Sequence, residues 1–455
     1  MLEGREISEA LFSETIKNKD FRIDSQYYTQ VPFKNPILKY KKIGEVIHSS
    51  QYGISIEMNE DGHGYPIYRM NELHNMLCDL EVNKYANITH DEYQRFALKN
   101  RDVLFNRTNS FEWVGRTGVY YQNDDVERTF ASYLVRFNPI ESDILPEYLC
   151  AFLNSKEGVR DIKRRARQSI NQTNVNPEEV KEIEIPVLDM DFQLQIKEHF
   201  EKANSCRLRS LSLYKDAENQ LLEELGLKGW QPNNAPVNIK QLKESFLKSG
   251  RLDAEHYQVK YDELEKRIQS VPNKTIAEIQ QFNARGVQPD YIEEGCVPVV
   301  NSKHILENGL DYENFERTSE SFLSSHERAQ IGYGDILIYT TGANIGRTQA
   351  YMQKDYALAS NHVNILRVRD VNPIYLALVL NSLIGRMQTE KLCTGSAQAE
   401  LYPSDIEKFI IPILDASIQE SISAKIQEGF ALKAESKRFL DEAKMMVERE
   451  IEQSH

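Results

Sequence analysis

Arginine, asparagine and threonine carry hydrogen-bonding groups that match the edges of nucleic-acid bases, and two loops of this chain concentrate them. In NRTNSFEWVGR (residues 106–116) the candidates are Arg107, Asn109 and Arg116; in TTGANIGR (residues 340–347) they are Thr340, Asn344 and Arg347. An arginine fork fits guanine, an asparagine amide fits adenine, and a threonine hydroxyl suits either. A different chemistry belongs to VRDIKRRARQS (residues 159–169), which places Arg160, Lys163, Arg164, Arg165 and Arg167 within eight residues. As a helix this run turns cations to most faces. Lys163, Arg164 and Arg165 are then candidates for backbone phosphates, contacts that position a duplex without specifying its sequence. Polar loops and basic faces also occur on proteins that bind nothing, so their placement in the fold has to decide.

Catalytic motifs are missing. TTGANIGRT (residues 340–348) has glycine spacing but lacks the lysine of a phosphate-binding loop, and the sequence has no dinucleotide fingerprint, nucleophile elbow or His-Glu-x-x-His. The Asn-Pro pairs at Asn35, Asn138, Asn176 and Asn372 lack the second proline and aromatic of an amino-methyltransferase. Pro289-Asp290 begins like a nuclease motif without a Glu-x-Lys strand to complete it. The ten histidines are scattered, and Cys78, Cys150, Cys206, Cys296 and Cys393 lie far apart, which argues against zinc and against a disulfide framework. A net charge of −14 excludes a surface that seeks phosphate everywhere, so any nucleic-acid contact must be local or shared with partners. With 40% hydrophobic and 27% charged residues the composition suits a globular protein with a sizeable core. No apolar run approaches a membrane span and MLEGREISEALF does not look like a signal peptide, so a cytoplasmic location is expected.

The elements that must position these loops occur twice. IEIPVLDMDFQLQI (residues 183–196) returns as FIIPILDASIQESI (residues 409–422), pairing Pro186 with Pro412, Gln193 with Gln419 and Ile196 with Ile422, each 226 positions apart. Arg22, Asp24 and Tyr28 match Arg251, Asp253 and Tyr257 at a separation of 229. RDVLFNRTNSFEWVGRTGVYY (residues 101–121) parallels GDILIYTTGANIGRTQAYM (residues 334–352): an Asp, a strand, a polar loop, a Gly-Arg pair and another strand. EYLCAFLNS (residues 147–155) matches IYLALVLNS (residues 374–382), and both have the apolar spacing of a buried helix. A period of half the chain marks a tandem duplication. The two loops hold equivalent places yet share few side chains, as expected if the scaffold repeats and the readers differ.

Each copy therefore reads as a mixed α/β domain followed by a long helix. The first helix, residues 190–226, would span roughly 55 Å. Phe192, Ile196, Phe200, Ala203, Leu221 and Leu225 form one apolar stripe on it, and Ile418, Ile422, Ile426, Leu440, Val447 and Ile451 form the counterpart on the second. Neither helix buries its stripe alone, so the two are expected to pair, the alternative being that each folds onto its own domain. LGLKGWQPNNAPVN (residues 225–238) is the clearest linker.

With these segments in view the chain resembles the specificity subunit of a type I restriction-modification system. The resemblance runs over nearly the whole length. It is carried above all by IEIPVLDMDFQLQI and FIIPILDASIQESI, with SINQTNVNPEEV (residues 169–180) and GSAQAELYPSDI (residues 395–406) before them. Ser417 and Ile418 stand where the first copy has Asp191 and Phe192, a departure that leaves the architecture intact. The resemblance implies two target-recognition domains (residues 1–188 and 241–414) separated by two long antiparallel conserved helices (residues 189–227 and 415–455), with a linker at residues 228–240. Each domain would read one half of a bipartite, asymmetric site in double-stranded DNA, and the helix pair would set the spacing. The chain itself would be non-catalytic and bind no cofactor or metal. S-adenosylmethionine would sit in modification subunits, two of them, that flip and methylate adenine, and a motor-nuclease subunit would cleave. A related methyltransferase-nuclease system, a duplicated protein-binding scaffold without DNA readout, and a standalone DNA enzyme are the alternatives.

Overall fold

The paired segments fold alike. In the first copy Tyr40–Lys42 runs antiparallel to Glu184–Pro186, and in the second Asn273–Thr275 runs antiparallel to Ile410–Pro412. The computed structural model describes residues 9–17, 22–170, 172–394 and 399–453. Of the segments compared above, Phe21, Asn171 and residues 395–398 lie outside the described residues, as does most of MLEGREISEALF. Contacts divide the chain into two units, Met1–Leu208 with Leu432–His455, and Arg209–Ala431.

In the first unit β1 (Ile47–Tyr52), β2 (Leu73–His74), β3 (Leu77–Cys78), β4 (Asp102–Asn106), β5 (Thr117–Tyr120) and β6 (Leu134–Pro139) form a six-stranded sheet in the order β1-β6-β4-β5-β3-β2. Every residue of β4 is buried, because both faces of the sheet are covered. Val103 and Phe105 enter the main core with α1 (Pro146–Asn154) and α2 (Lys156–Arg165), while Leu104 points into a second core with Tyr68 and Phe130. A smaller sheet of Thr129–Phe130, Tyr65–Tyr68, Tyr85–Ala86 and Met58–Asn59 lies in the same unit.

The second unit repeats the central part of this plan. Its sheet runs β7 (Gln280–Arg285), β10 (Val363–Val368), β8 (Ile336–Tyr339), β9 (Thr348–Ala350), the counterpart of β1-β6-β4-β5. Two helices again follow, α3 (Pro373–Asn381) and α4 (Leu383–Leu392), and Ile336 and Ile338 face them in one core while Leu337 faces another. Matched ion pairs tie the matched strands, Arg136 to Asp102 at 2.8 Å and Arg367 to Asp335 at 2.8 Å.

The recurring glutamine is a clamp at the start of each long helix. Gln193 is fully buried; its Oε1 accepts from the Leu145 N–H at 2.8 Å, and its Nε2 donates to the carbonyls of Asp143 and Leu188, both at 3.0 Å. Gln419 does the same with the Asn372 N–H at 3.1 Å and the Leu414 carbonyl at 2.8 Å. The recurring proline is read by a tyrosine: Tyr148 donates to the Pro186 carbonyl and Tyr375 to the Pro412 carbonyl.

The long helices, Met190–Glu224 and Ala416–Glu452, pair in both units. In the first, Ile196, Phe200 and Ala203 share a core with Leu440, Ala443, Val447 and Ile451, and Ser436 donates to the Ala203 carbonyl at 2.7 Å. In the second, Ala217, Leu221 and Leu225 share a core with Ile422 and Ile426, and Ser210 donates to the Gly429 carbonyl at 2.7 Å. Residue numbers rise along one helix as they fall along the other, so the pair is antiparallel. The division into units cuts both helices. The reason is that each stripe is buried against the partner helix and against a globular core at once. Among the described residues no helix is long and apolar enough to cross a membrane.

Candidate nucleic-acid interface

In the first unit the chain leaves β4 at Asn106 and enters β5 at Thr117, so the loop between them hangs from two central strands. Its start is locked into a three-stranded ribbon: Thr108–Asn109 pairs with Thr173–Asn174, which pairs with Arg167–Gln168. The end of the basic run thus lies in the same ribbon as the polar loop. At the loop's other end Gly115 adopts φ +93°, and a Cβ there would stand 2.6 Å from Ile162 Cγ2 of α2. Only glycine meets both demands, which explains the Gly-Arg pair. Arg116 follows, half-buried, its guanidinium carbon 3.3 Å from the centre of the Trp113 ring. Arg107 lies over the Tyr52 ring at 5.2 Å and donates to the Ser132 carbonyl at 3.4 Å, while its Nε is buried without a hydrogen-bond partner. Asn109 is half-exposed and its Oδ1 accepts from the Ser110 N–H at 2.8 Å. Tyr52, Phe111, Trp113 and Tyr133 are exposed around these side chains.

The basic run forms α2 as its spacing suggests, but its cations turn inward. Lys163 donates to the carbonyls of Phe111, Glu112 and Val114. Arg164 donates to Asp161 at 2.5 Å and to the Tyr27 carbonyl at 2.9 Å, and it lies over the Tyr27 ring. Arg165, only 6% exposed, shares Asp161 at 2.9 Å. The Asp161 carboxylate and the loop carbonyls thus engage all three of the phosphate candidates. Arg160 and Arg167 are the exposed cations of the run, and Arg167 is paired with Glu179 at 3.0 Å.

The second unit repeats the frame with other side chains. Thr341 bridges to Glu400 and Glu400 to Thr394, the counterpart of the first ribbon. Gly346 has φ +88°, with Thr389 Oγ1 of α4 2.7 Å from the place of its Cβ. Thr340 is fully buried, and its N–H and hydroxyl both donate to the His362 carbonyl, at 3.1 and 3.0 Å. It holds the loop's base. Asn344 is exposed and Arg347 half-buried. Sequence reasoning passed over Arg285 at the end of β7, which lies 4.7 Å over the exposed Tyr402 ring and donates to the Leu401 carbonyl at 3.1 Å. Its register partner Asn364 corresponds to Val135, the partner of Tyr52, so Tyr52 and Arg285 occupy equivalent strand ends. The only sequence signal for Trp113 was its place three residues before Arg116; for Arg285 there was none, because strand register brings it to the loop.

Residues 38–206 and 266–438 each match the family described as type I restriction modification DNA specificity domain. Two curated relatives match about half of the chain. One is the specificity subunit named for the type I restriction enzyme MjaX of Methanocaldococcus jannaschii, 24% identical over 204 residues, covering 44% of this chain and 47% of that protein. The other is the type I restriction enzyme EcoKI specificity subunit of Escherichia coli, 23% identical over 215 residues, covering 47% of this chain and 42% of that protein. The chain spans about half the length of the curated relatives it matches. Among solved structures, the type I restriction-modification S subunit of M. genitalium aligns over 93% of this chain and all of that one, at 13% identity and a TM-score of 0.41. The HsdS subunit of Thermoanaerobacter tengcongensis aligns over 93% of this chain and 99% of that one, at 14% identity and a TM-score of 0.30.

Proposed function

This chain belongs to the type I restriction-modification DNA specificity family, and from that premise we propose that it is the DNA-reading, non-catalytic specificity subunit of such a system. Each unit reads one half of a bipartite site in double-stranded DNA, and the antiparallel helix pair fixes the distance between the halves. The observation that carries this reading is the shared frame with unshared side chains. In both units a loop between two central strands is bound edge-on to a ribbon, and its Gly-Arg pair is seated on the following helix. What differs is what the frame displays, Arg107, Asn109 and Arg116 with aromatic neighbours in one unit, and Asn344, Arg347 and Arg285 in the other. Different readers on the same frame give an asymmetric site. Arginines lying on aromatic rings are held in place before they meet a guanine edge, and Arg107 and Arg285 also donate to carbonyls of the frame.

Phosphate contact falls to the basic run of α2, where the exposed Arg160 stands beside Lys163, Arg164 and Arg165. The chain acts in the cytoplasm with two modification subunits and a restriction subunit. Methyl transfer from S-adenosylmethionine and cleavage belong to those partners, and the acidic net charge of −14 is tolerated because DNA is enclosed jointly with them.

The test is base-modification sequencing of cells that carry or lack this chain together with its modification partner. A bipartite motif methylated only when the chain is present is the expected result. No such motif would leave a duplicated protein-binding scaffold as the better reading. A methyl-transfer or nuclease activity of the isolated chain would overturn the non-catalytic assignment. The neighbouring reading frames decide between a type I system and a related methyltransferase-nuclease system.

A further inference from the structure

The first unit holds its loop with a device that has no counterpart among the described residues of the second. From α2 the ammonium of Lys163 reaches three backbone carbonyls of the loop, those of Phe111, of Glu112 at 3.0 Å and of Val114 at 2.9 Å. The Phe111 ring lies 5.0 Å from the same nitrogen. An ammonium has three donors for these three acceptors, whereas a neutral amine has two and no charge. Counted from the capping serines Ser155 and Ser382, the residue of α4 in the place of Lys163 is Glu390, which is paired with Lys260 at 2.7 Å. The clamp therefore belongs to one unit.

We propose that Lys163 is the positioning residue for sequence reading by the first unit alone, fixing residues 111–114 so that Trp113 and Arg116 stand ready to meet a base. The inference rests on the DNA-reading assignment above. It makes reading of one half-site sensitive to pH. Burial is the largest influence on the lysine and lowers its pKa to about 8; of the charged groups of the loop, Glu112 raises it and Arg116 lowers it. Below that value the clamp is an ammonium, and above it the third donor and the charge are lost. The linkage to stability has the opposite sign. An unfolded lysine titrates higher, so above about pH 8 the unfolded chain binds the extra proton and this group stabilises the fold as pH rises. Weaker reading at high pH would thus arise in the loop and not from unfolding through Lys163.

The experiment measures Kd of the full chain for duplexes carrying the methylated motif, intact or with one half scrambled, at about pH 7 and about pH 9. It compares the native chain with Lys163→Met and Lys163→Arg, each checked by thermal melting. The native chain should lose about tenfold of its discrimination at one half on going to the higher pH, with the other half unaffected. Lys163→Met should show that loss at both pH values, and Lys163→Arg, charged throughout, should retain discrimination at both. Unchanged discrimination in the native chain across the two pH values would overturn the inference. So would a folded Lys163→Met that reads both halves as the native chain does, or that loses both together. If Lys163→Met does not fold, the native pH pair and Lys163→Arg still decide. A native chain indifferent to scrambling either half at the lower pH would instead remove the DNA-reading assignment itself.

Discussion

A guanidinium held close over an indole gives up freedom of movement before it meets a ligand. Arg116 on Trp113 is that arrangement. Arg116→Ala is therefore expected to relax the sequence requirement at one half-site by about 1–3 kcal/mol, with the other half still read. Trp113→Ala should act on the same half more weakly, since the arginine remains but is no longer held. Binding to a set of duplexes with single substitutions in each half checks both. Equal losses at the two halves would show that Arg116 supports the fold and does not read. The inward-turned cations behave differently. Arg164 and Arg165 share Asp161, so replacing either also changes an ion-pair cluster of the protein itself.

At the scale of elements, the two glutamine clamps invite a comparison within one chain. Gln193 makes three hydrogen bonds to backbone groups and Gln419 makes two. Leucine has a similar volume and none of these bonds, so Gln193→Leu leaves orphaned backbone groups at the first helix start and should cost on the order of 3 kcal/mol. Gln419→Leu should cost less, roughly 2 kcal/mol. Urea unfolding of the two variants measures the difference, and the reverse ranking would mean that the clamps are not what anchors the helices. The same residues show what a sequence discloses. Both glutamines were legible as matched positions, and the strands, buried helices and long helices around them were legible from local apolar period and repetition. Their role was not, because Leu145 lies 48 positions before Gln193 and meets it only in the fold. The partners of Lys163 were hidden for the same reason, its carbonyls lying 49 to 52 positions away. The setting of Thr340 was hidden on a smaller scale: standing one residue past β8, it is still inside the sheet's covered edge and bonds to His362.

At the scale of the whole molecule, the proposed reading gives the length of the helix pair a meaning, because duplication supplied one helix to each copy and the two pair antiparallel. Two serine bonds mark its register: Ser436 to Ala203 and Ser210 to Gly429 lie seven residues apart on each helix. A seven-residue insertion between these marks, made in both helices, keeps the apolar stripes facing each other. It lengthens the pair by roughly 10 Å, which corresponds to about three base pairs of duplex. The expected outcome is a methylated motif with both half-sites unchanged and a spacer longer by about that number. The same insertion in one helix alone moves its stripe past the partner and should abolish methylation. Base-modification sequencing reads both results. A paired insertion that leaves the spacer unchanged would mean that the helices hold the fold together without measuring DNA.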